Sequence, residues 1–200
     1  LVVDRWVNGK YENYLTPENK VPEKALSVPW ESCITMATSW SYVKTDRYKS
    51  VRELVHLLVD VVAKGGNLLL NIGPSPEGEW APDAYDRLKG MAAWMKVNSE
   101  AIYETRAVAP YKEGNVCLTK KRDGTVYAIC LAGKDENRPP RKISLKSLQP
   151  AAGTKVTMLG VSRELTWKPD GSGVSIDVPE SVRQNPPCEY AWVVKISKVK

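Results

Sequence analysis

Apolar and polar positions in the first half of the chain alternate between two periods. Leu1-Val2-Val3 is a short continuous apolar run, which predicts a buried strand leading into Asp4-Arg5-Trp6. Residues 7–29 are polar and carry Gly9, Pro17, Pro22 and Pro29, so a long loop is expected. Loops of that length in compact domains usually serve function. Ser32–Met36 predicts a short strand, and Thr38–Lys49 a second polar loop carrying Trp40 and Tyr42.

Ser50 opens the clearest helix. Ser50-Val51-Arg52-Glu53 fits a capping box, in which each end residue receives the other's backbone N–H. Val51, Leu54, Val55, Leu58, Val61 and Val62 follow at helical spacing, and Lys64-Gly65-Gly66 supplies the stop. Asn67-Leu68-Leu69-Leu70-Asn71-Ile72 has the continuous apolar centre of a strand buried on both faces. A Gly/Pro loop follows over 73–78. Pro82 then starts a second helix that ends near Asn98, with Leu88, Met91, Ala92 and Met95 on one face. Strand, helix, strand, helix is the rhythm of a parallel α/β sheet or barrel.

The style changes near Tyr103–Pro110. Short alternating runs follow at Val116–Lys120, Thr125–Leu131, Lys142–Leu145, Thr154–Leu159, Val174–Val178 and Tyr190–Ile196, separated by Gly and Pro turns. That pattern predicts an antiparallel β-sandwich. The expected architecture is α/β followed by all-β, with one domain over 1–106 and a second over 107–200.

Composition narrows the field. The chain has 200 residues, 42% hydrophobic and 26% charged, which fits one or two globular domains and argues against disorder. Leu57–Ala63 and Leu68–Leu70 are far too short to span a bilayer. No leader sequence is visible, and the opening on Leu1 without Met, already in a strand-like pattern, suggests a piece of a longer polypeptide. The net charge of +6 could suit nucleic acid, but the clusters Lys120-Lys121-Arg122 and Arg141-Lys142 sit at turns without interleaved aromatics. They read as solvated turns. Four cysteines with no C-x-x-C, and a single histidine, argue against a zinc site. Cys117 and Cys130 flank the turn Arg122-Asp123-Gly124; a disulfide and two buried thiols both fit.

Catalytic side chains of α/β barrels sit at the C-terminal ends of the strands. Three such ends are visible, and they offer a cation (Arg5), a carboxylate (Glu18) and indole planes (Trp6, Trp40). A carboxylic acid can protonate a leaving oxygen, an arginine can hold hydroxyls, and indole packs on apolar C–H faces; together they suit a sugar site. Each also has a plainer reading. Glu18 is one of many acidic loop residues, Asp4 and Arg5 can pair locally, Trp40 can anchor a loop, and Asn67 and Asn71 can be strand-end residues. His56 lies beside the apolar stripe of its helix with no partner at metal-ligand spacing.

The run from Lys64 to Pro74 (KGGNLLLNIGP), with Glu77-Gly78 after it, resembles the signature of α-L-fucosidases of glycoside hydrolase family 29. Trp30-Glu31-Ser32-Cys33 leading to Ser39-Trp40-Ser41-Tyr42, the helix Glu53–Val62, and Trp94–Tyr103 are similar to that family as well. The resemblance is close over residues 1 to about 106 and looser beyond. It implies a partial (β/α)8-like barrel, its C-terminal strands and helices, with an appended antiparallel β-sandwich. It implies a retaining hydrolase that releases terminal α-L-fucose from glycans, in an extracellular or periplasmic setting, with no metal or organic cofactor.

Residue by residue, Glu18 in Thr16-Pro17-Glu18 matches the family's general acid/base, with Glu12 and Glu23 of the same loop as alternatives. Arg5 matches the arginine near the sugar and nucleophile, and Trp40 the aromatic that lines the fucose pocket. The family's nucleophile lies in a W-x-D pattern that no tryptophan here fits, and its pocket histidines are missing too. The expectation is a C-terminal portion of an enzyme, inactive by itself, whose partners are the missing N-terminal part and a fucosylated glycan. Two other readings compete: a carbohydrate-binding protein working through its sandwich, and a catalytically inactive family member.

Overall fold

In the computed structural model, which describes residues 3, 4 and 10–199, every strand up to Asn71 pairs in parallel. The chain divides into two units, Leu1–Ala92 and Ala93–Lys200. In the first, β1 (Val3–Asp4) pairs with β2 (Tyr14–Leu15). Single bridges from Leu15 to Trp30 and from Glu18 to Cys33 carry the same direction to β3 (Glu31–Thr35), and β3 pairs with β4 (Asn67–Asn71). Two parallel neighbours need a crossover. Here it is α1 (Val51–Ala63), followed after β4 by α2 (Pro82–Asn98).

The capping box forms as the sequence predicts. Ser50 N–H donates to Glu53 Oε2 at 2.7 Å, and Glu53 N–H to Ser50 Oγ at 3.2 Å. At the other end Gly65 takes φ 84°, the left-handed cap conformation that costs glycine little. Gly66 lets the chain pass the Trp30 ring: a Cβ there would lie 2.4 Å from Trp30 Cζ2. Trp30 is fully buried and donates its indole N–H to the Lys64 carbonyl at 3.4 Å.

Strand alternation separates two faces. Ile34 and Met36 point with Leu70 and Ile72 toward the helices, where Met36, Leu54 and Ala84 form the centre of a core that also takes in Tyr48, Leu88 and Met91. Glu31, Cys33 and Thr35 of β3, and Asn67, Leu69 and Asn71 of β4, line the opposite face in register. Leu69 is 49% exposed there.

The second unit holds two antiparallel sheets. The larger has the order β5 (Arg106–Glu113), β6 (Val116–Lys120), β7 (Val126–Leu131), β12 (Ala191–Ile196) and β9 (Val156–Met158). The smaller has β10 (Thr166–Asp170), β11 (Gly173–Asp177) and β8 (Lys142–Leu145). One core, built on Leu118, Val126, Ala128, Ile143, Leu145, Met158, Ile176 and Trp192, joins them. Three strands go beyond the sequence reading, β5 and β10 here and β2 within the expected 7–29 loop, as does the short helix α3 (Glu180–Gln184). β5 and β10 lie at sheet edges; β5 carries Pro110 and a register shift, and β10 carries Pro169, so neither shows clean alternation.

The division at Ala92/Ala93 falls ahead of the change in sequence style near residue 106. The last turn of α2 and the 3-10 turn Ser99–Ala101 belong to the β-rich unit because the Trp94 indole donates to the Ala191 carbonyl at 2.9 Å and the Thr119 hydroxyl to the Ala101 carbonyl at 2.8 Å. All four cysteines are free thiols. Cys117 stands opposite Ile129 and Cys130 opposite Val116, so the two thiols point to opposite faces of the sheet. No helix among the described residues is long and apolar enough to cross a membrane.

Candidate active site

Polar side chains gather on the inner face of the parallel sheet, the face turned away from the helices. Glu18 bridges to Cys33, and Cys33 pairs with Leu69, so the three stand in one row away from the helix-packed core. Backbone bonds fix that row: Asn19 N–H to Cys33 O at 2.8 Å and Cys33 N–H to Pro17 O at 3.2 Å. Asn19 then turns out at φ 52°, which ends the pairing just past Glu18. Glu18 is half-buried. Thr16, two residues earlier, has its Oγ1 buried with no hydrogen-bond partner, and so does Asn71 Oδ1 at the end of β4, on the same face as Leu69. Buried polar atoms are rarely left unpaired, and where they are, a ligand or water is the usual partner.

The loop after β3 carries Trp40 and is held at both ends. Asp46 accepts from the Thr38 hydroxyl, from Ser39 N–H at 3.0 Å, from Arg47 N–H at 2.7 Å and from Thr38 N–H at 3.3 Å. The Thr38 hydroxyl, then these backbone N–H groups, hold the Asp46 carboxyl down to about 2 against its partial burial. Lys49 closes the base, donating Nζ to the carbonyls of Thr35 at 2.5 Å and Ala37 at 3.3 Å. Burial lowers the pKa of this lysine. Met36 N–H reaches Asn71 O at 2.9 Å, so the two strand ends are tied as well.

Tryptophan side chains separate into two groups by what their indole N–H meets. Trp30, Trp94, Trp167 and Trp192 each donate to a backbone carbonyl. Trp40 and Trp80 do not, and they are the two most exposed of the six described, at 40% and 37%. Both stand in loops at the C-terminal ends of parallel strands. An indole that packs a core normally satisfies its N–H, so these two are set apart from structural anchors.

The predicted residues fall as follows. Glu18 and Trp40 both depend on β3, Glu18 alongside it and Trp40 on the loop that leaves its C-terminal end. Arg5 lies outside the described residues. Glu12 is half-buried and Glu23 exposed. In the β-rich unit a depression of about 420 Å³ is lined by Glu104, Arg106, Lys121, Arg122 and Asp123. Its charges are mixed, and Lys121 and Gly124 close a hydrogen-bonded turn, in keeping with the turn reading of that basic cluster. Asp46 and Trp80 were not singled out by sequence reasoning, and Asn71 was read there as a strand-end residue. An Asp eight residues after a Thr has no sequence signal as a clamp. The Asn67–Asn71 run is continuously apolar at its centre, so its register against β3, and not the sequence, puts Asn71 on the face away from the helices.

This arrangement can offer a carboxyl, an indole face and an unsatisfied amide oxygen at the end of a parallel sheet. A family model described as alpha-L-fucosidase matches residues 1–100, and one described as alpha-L-fucosidase C-terminal domain matches residues 111–197. An alpha-L-fucosidase of Branchiostoma floridae is 34% identical over 98% of the chain, and tissue alpha-L-fucosidase of Mus musculus 33% identical over all of it. The chain spans 45% and 46% of those two proteins. A crystal structure of Thermotoga maritima alpha-fucosidase with a mechanism-based inhibitor superposes with a TM-score of 0.81 at 27% identity, covering 98% of this chain and 45% of that one.

Proposed function

The chain belongs to the alpha-L-fucosidase family, and we propose that it is the C-terminal part of a retaining glycosidase that releases terminal α-L-fucose from glycans. The observation that carries this reading is the row Glu18–Cys33–Leu69, which sets a carboxyl on the polar inner face of a parallel sheet. In this reading β1 to β4 are the last strands of a barrel. The strands before them come from upstream polypeptide, which also supplies the aspartate nucleophile, and β4 and Leu69 are covered by it.

Glu18 then acts twice. As an acid it gives its proton to the glycosidic oxygen while the upstream aspartate attacks the anomeric carbon and the C–O bond breaks. As a carboxylate it takes a proton from the water that attacks the glycosyl–aspartate ester, releasing fucose with its configuration retained. Such a pair of carboxyls stands about 5–5.5 Å apart. Arg5 orients sugar hydroxyls and the nucleophile. Trp40, with its indole face open and its loop clamped by Asp46, packs against the apolar side of fucose near the methyl group. Asn71 Oδ1 is a ready acceptor for a hydroxyl at the same end. A relative named for plasma supports an extracellular or periplasmic setting.

The test is release of 4-nitrophenol from 4-nitrophenyl α-L-fucoside by this chain and by the chain joined to its upstream sequence. Turnover by the longer protein alone supports the reading. A folded longer protein that is inert on fucosides overturns it in favour of a carbohydrate-binding or inactive family member.

A further inference from the structure

Trp80 is the second indole whose N–H meets no partner among the described residues. Its loop leaves the C-terminal end of β4, as the Trp40 loop leaves that of β3, and parallel strands end on the same side. The two loops touch: a Cβ on Gly73 would lie 2.5 Å from Tyr42 N and 2.6 Å from Ser41 C. The base of the Trp40 loop is tied to α2, the helix that follows the Trp80 loop, where Arg87 Nε donates to the Lys49 carbonyl at 3.1 Å. Trp80 and Trp40 therefore share one rim.

The loop is built to hold its aromatics still. Ser75 N–H donates to Glu79 O at 2.8 Å and Gly78 N–H to Ser75 O at 2.9 Å. Tyr85, in the first turns of α2, donates its hydroxyl to Glu79 Oε2 at 3.0 Å. The two rings are 5.6 Å apart between centroids and tilted by 49°. Trp80 stays 37% and Tyr85 39% exposed. The other Glu79 oxygen, Oε1, has no partner among the described residues. An open indole face, an uncommitted N–H donor and a carboxylate acceptor are what one face of a pyranose ring needs: C–H groups on the ring, hydroxyls on the polar atoms.

We propose that Trp80, with Tyr85 and Glu79, forms a stacking platform for a neutral pyranose unit of the glycan beyond the terminal sugar, on the leaving-group side of the bond that is cut. This rests on the fucosidase reading. A surface that only awaited upstream polypeptide would need no pinned phenol and no free hydrogen-bonding groups beside the ring.

The experiment compares wild type, Trp80→Ala and Trp80→Phe in the longer protein that carries this chain. It measures kcat/KM for 4-nitrophenyl α-L-fucoside, which lacks the second sugar, against 2′-fucosyllactose and 3-fucosyllactose, which have it. The expected result is a shift of about tenfold in the ratio against the better fucosyllactose in W80A, carried by KM, with most of it restored in W80F. An unmoved ratio, whether through equal loss on all substrates or no loss on any, overturns the platform. Titration of the same proteins with lactose reads the platform without turnover. Weaker lactose binding by W80A than by wild type is expected, and equal binding overturns the proposal. A wild type inert on every fucoside but still binding lactose through Trp80 would instead remove the fucosidase reading and leave the platform standing.

Discussion

Gly73 lies against the backbone of Tyr42 so closely that a Cβ on it would fall 2.5 Å from the Tyr42 nitrogen. The loop after β4 and the loop that carries Trp40 therefore share a contact that only glycine allows. Backbone atoms cannot yield as a flexible side-chain tip does. Gly73→Ala is expected to cost about 1–3 kcal/mol and to displace the Trp40 loop. In the longer protein this appears as a lower midpoint in urea together with a raised KM for 4-nitrophenyl α-L-fucoside. A variant with unchanged midpoint and KM would mean that the two loops are not coupled.

Asp46 makes a second prediction about the same loop. Its carboxylate gathers the backbone of Thr38, Ser39 and Arg47 and the Thr38 hydroxyl. Asp46→Ala should lower the folded midpoint and raise KM by about tenfold, because a small displacement of the loop proposed to line the sugar pocket is costly. Asp46→Asn keeps the acceptor for Thr38 but not both acceptors, so it should fall between. The carboxyl is depressed to about 2, below its ordinary 3.8. The clamp's contribution is thus fully present above pH about 4 and is lost as pH falls through about 2. Near-ultraviolet circular dichroism from pH 6 down to 4 should show no change in the tryptophan bands from this loop.

The thiols of the β-rich unit give a prediction at the alkaline end. Burial, with a smaller contribution from Cys117, pushes the Cys130 thiol up to about 12 from its ordinary 9.0. A folded-state pKa above the unfolded one gives stability that is whole below about pH 9 and is lost as pH rises through about 12, because only the unfolded chain releases the proton there. Urea unfolding at pH 7.5 and pH 10 should show a smaller alkaline loss in Cys130→Ala than in wild type. Thiol labelling at pH 8 should leave Cys117 and Cys130 unmodified until the chain unfolds.

Local chemistry made much of the fold legible. The Ser50–Glu53 box, Gly65 and the Asn67–Asn71 run each carry a mechanism in a few residues, and each appears where the sequence points. Edge strands were hidden because Pro110 and Pro169 interrupt alternation, and an edge tolerates that where a central strand does not. The thiol arrangement was hidden for a different reason. A turn places two strands side by side, but a register offset of one residue decides which face a side chain takes. At the site, Glu18 and Trp40 were legible as strand-end candidates, and the family resemblance gave them their expected roles. Asp46 and Asn71 needed coordinates, since a clamp and an unsatisfied buried oxygen are properties of neighbours far along the chain.

The central claim is that Glu18 is the acid/base of a retaining glycosidase. Its most direct test is Glu18→Ala in the longer protein, with 4-nitrophenyl α-L-fucoside and added azide. That substrate has a good leaving group, so the first step needs little acid and the second step becomes slow for want of a base. The account predicts a strong fall in kcat without azide, recovery with it, and formation of fucosyl azide of retained α configuration. Unchanged turnover in Glu18→Ala, or a loss that azide does not restore in a folded protein, would contradict it.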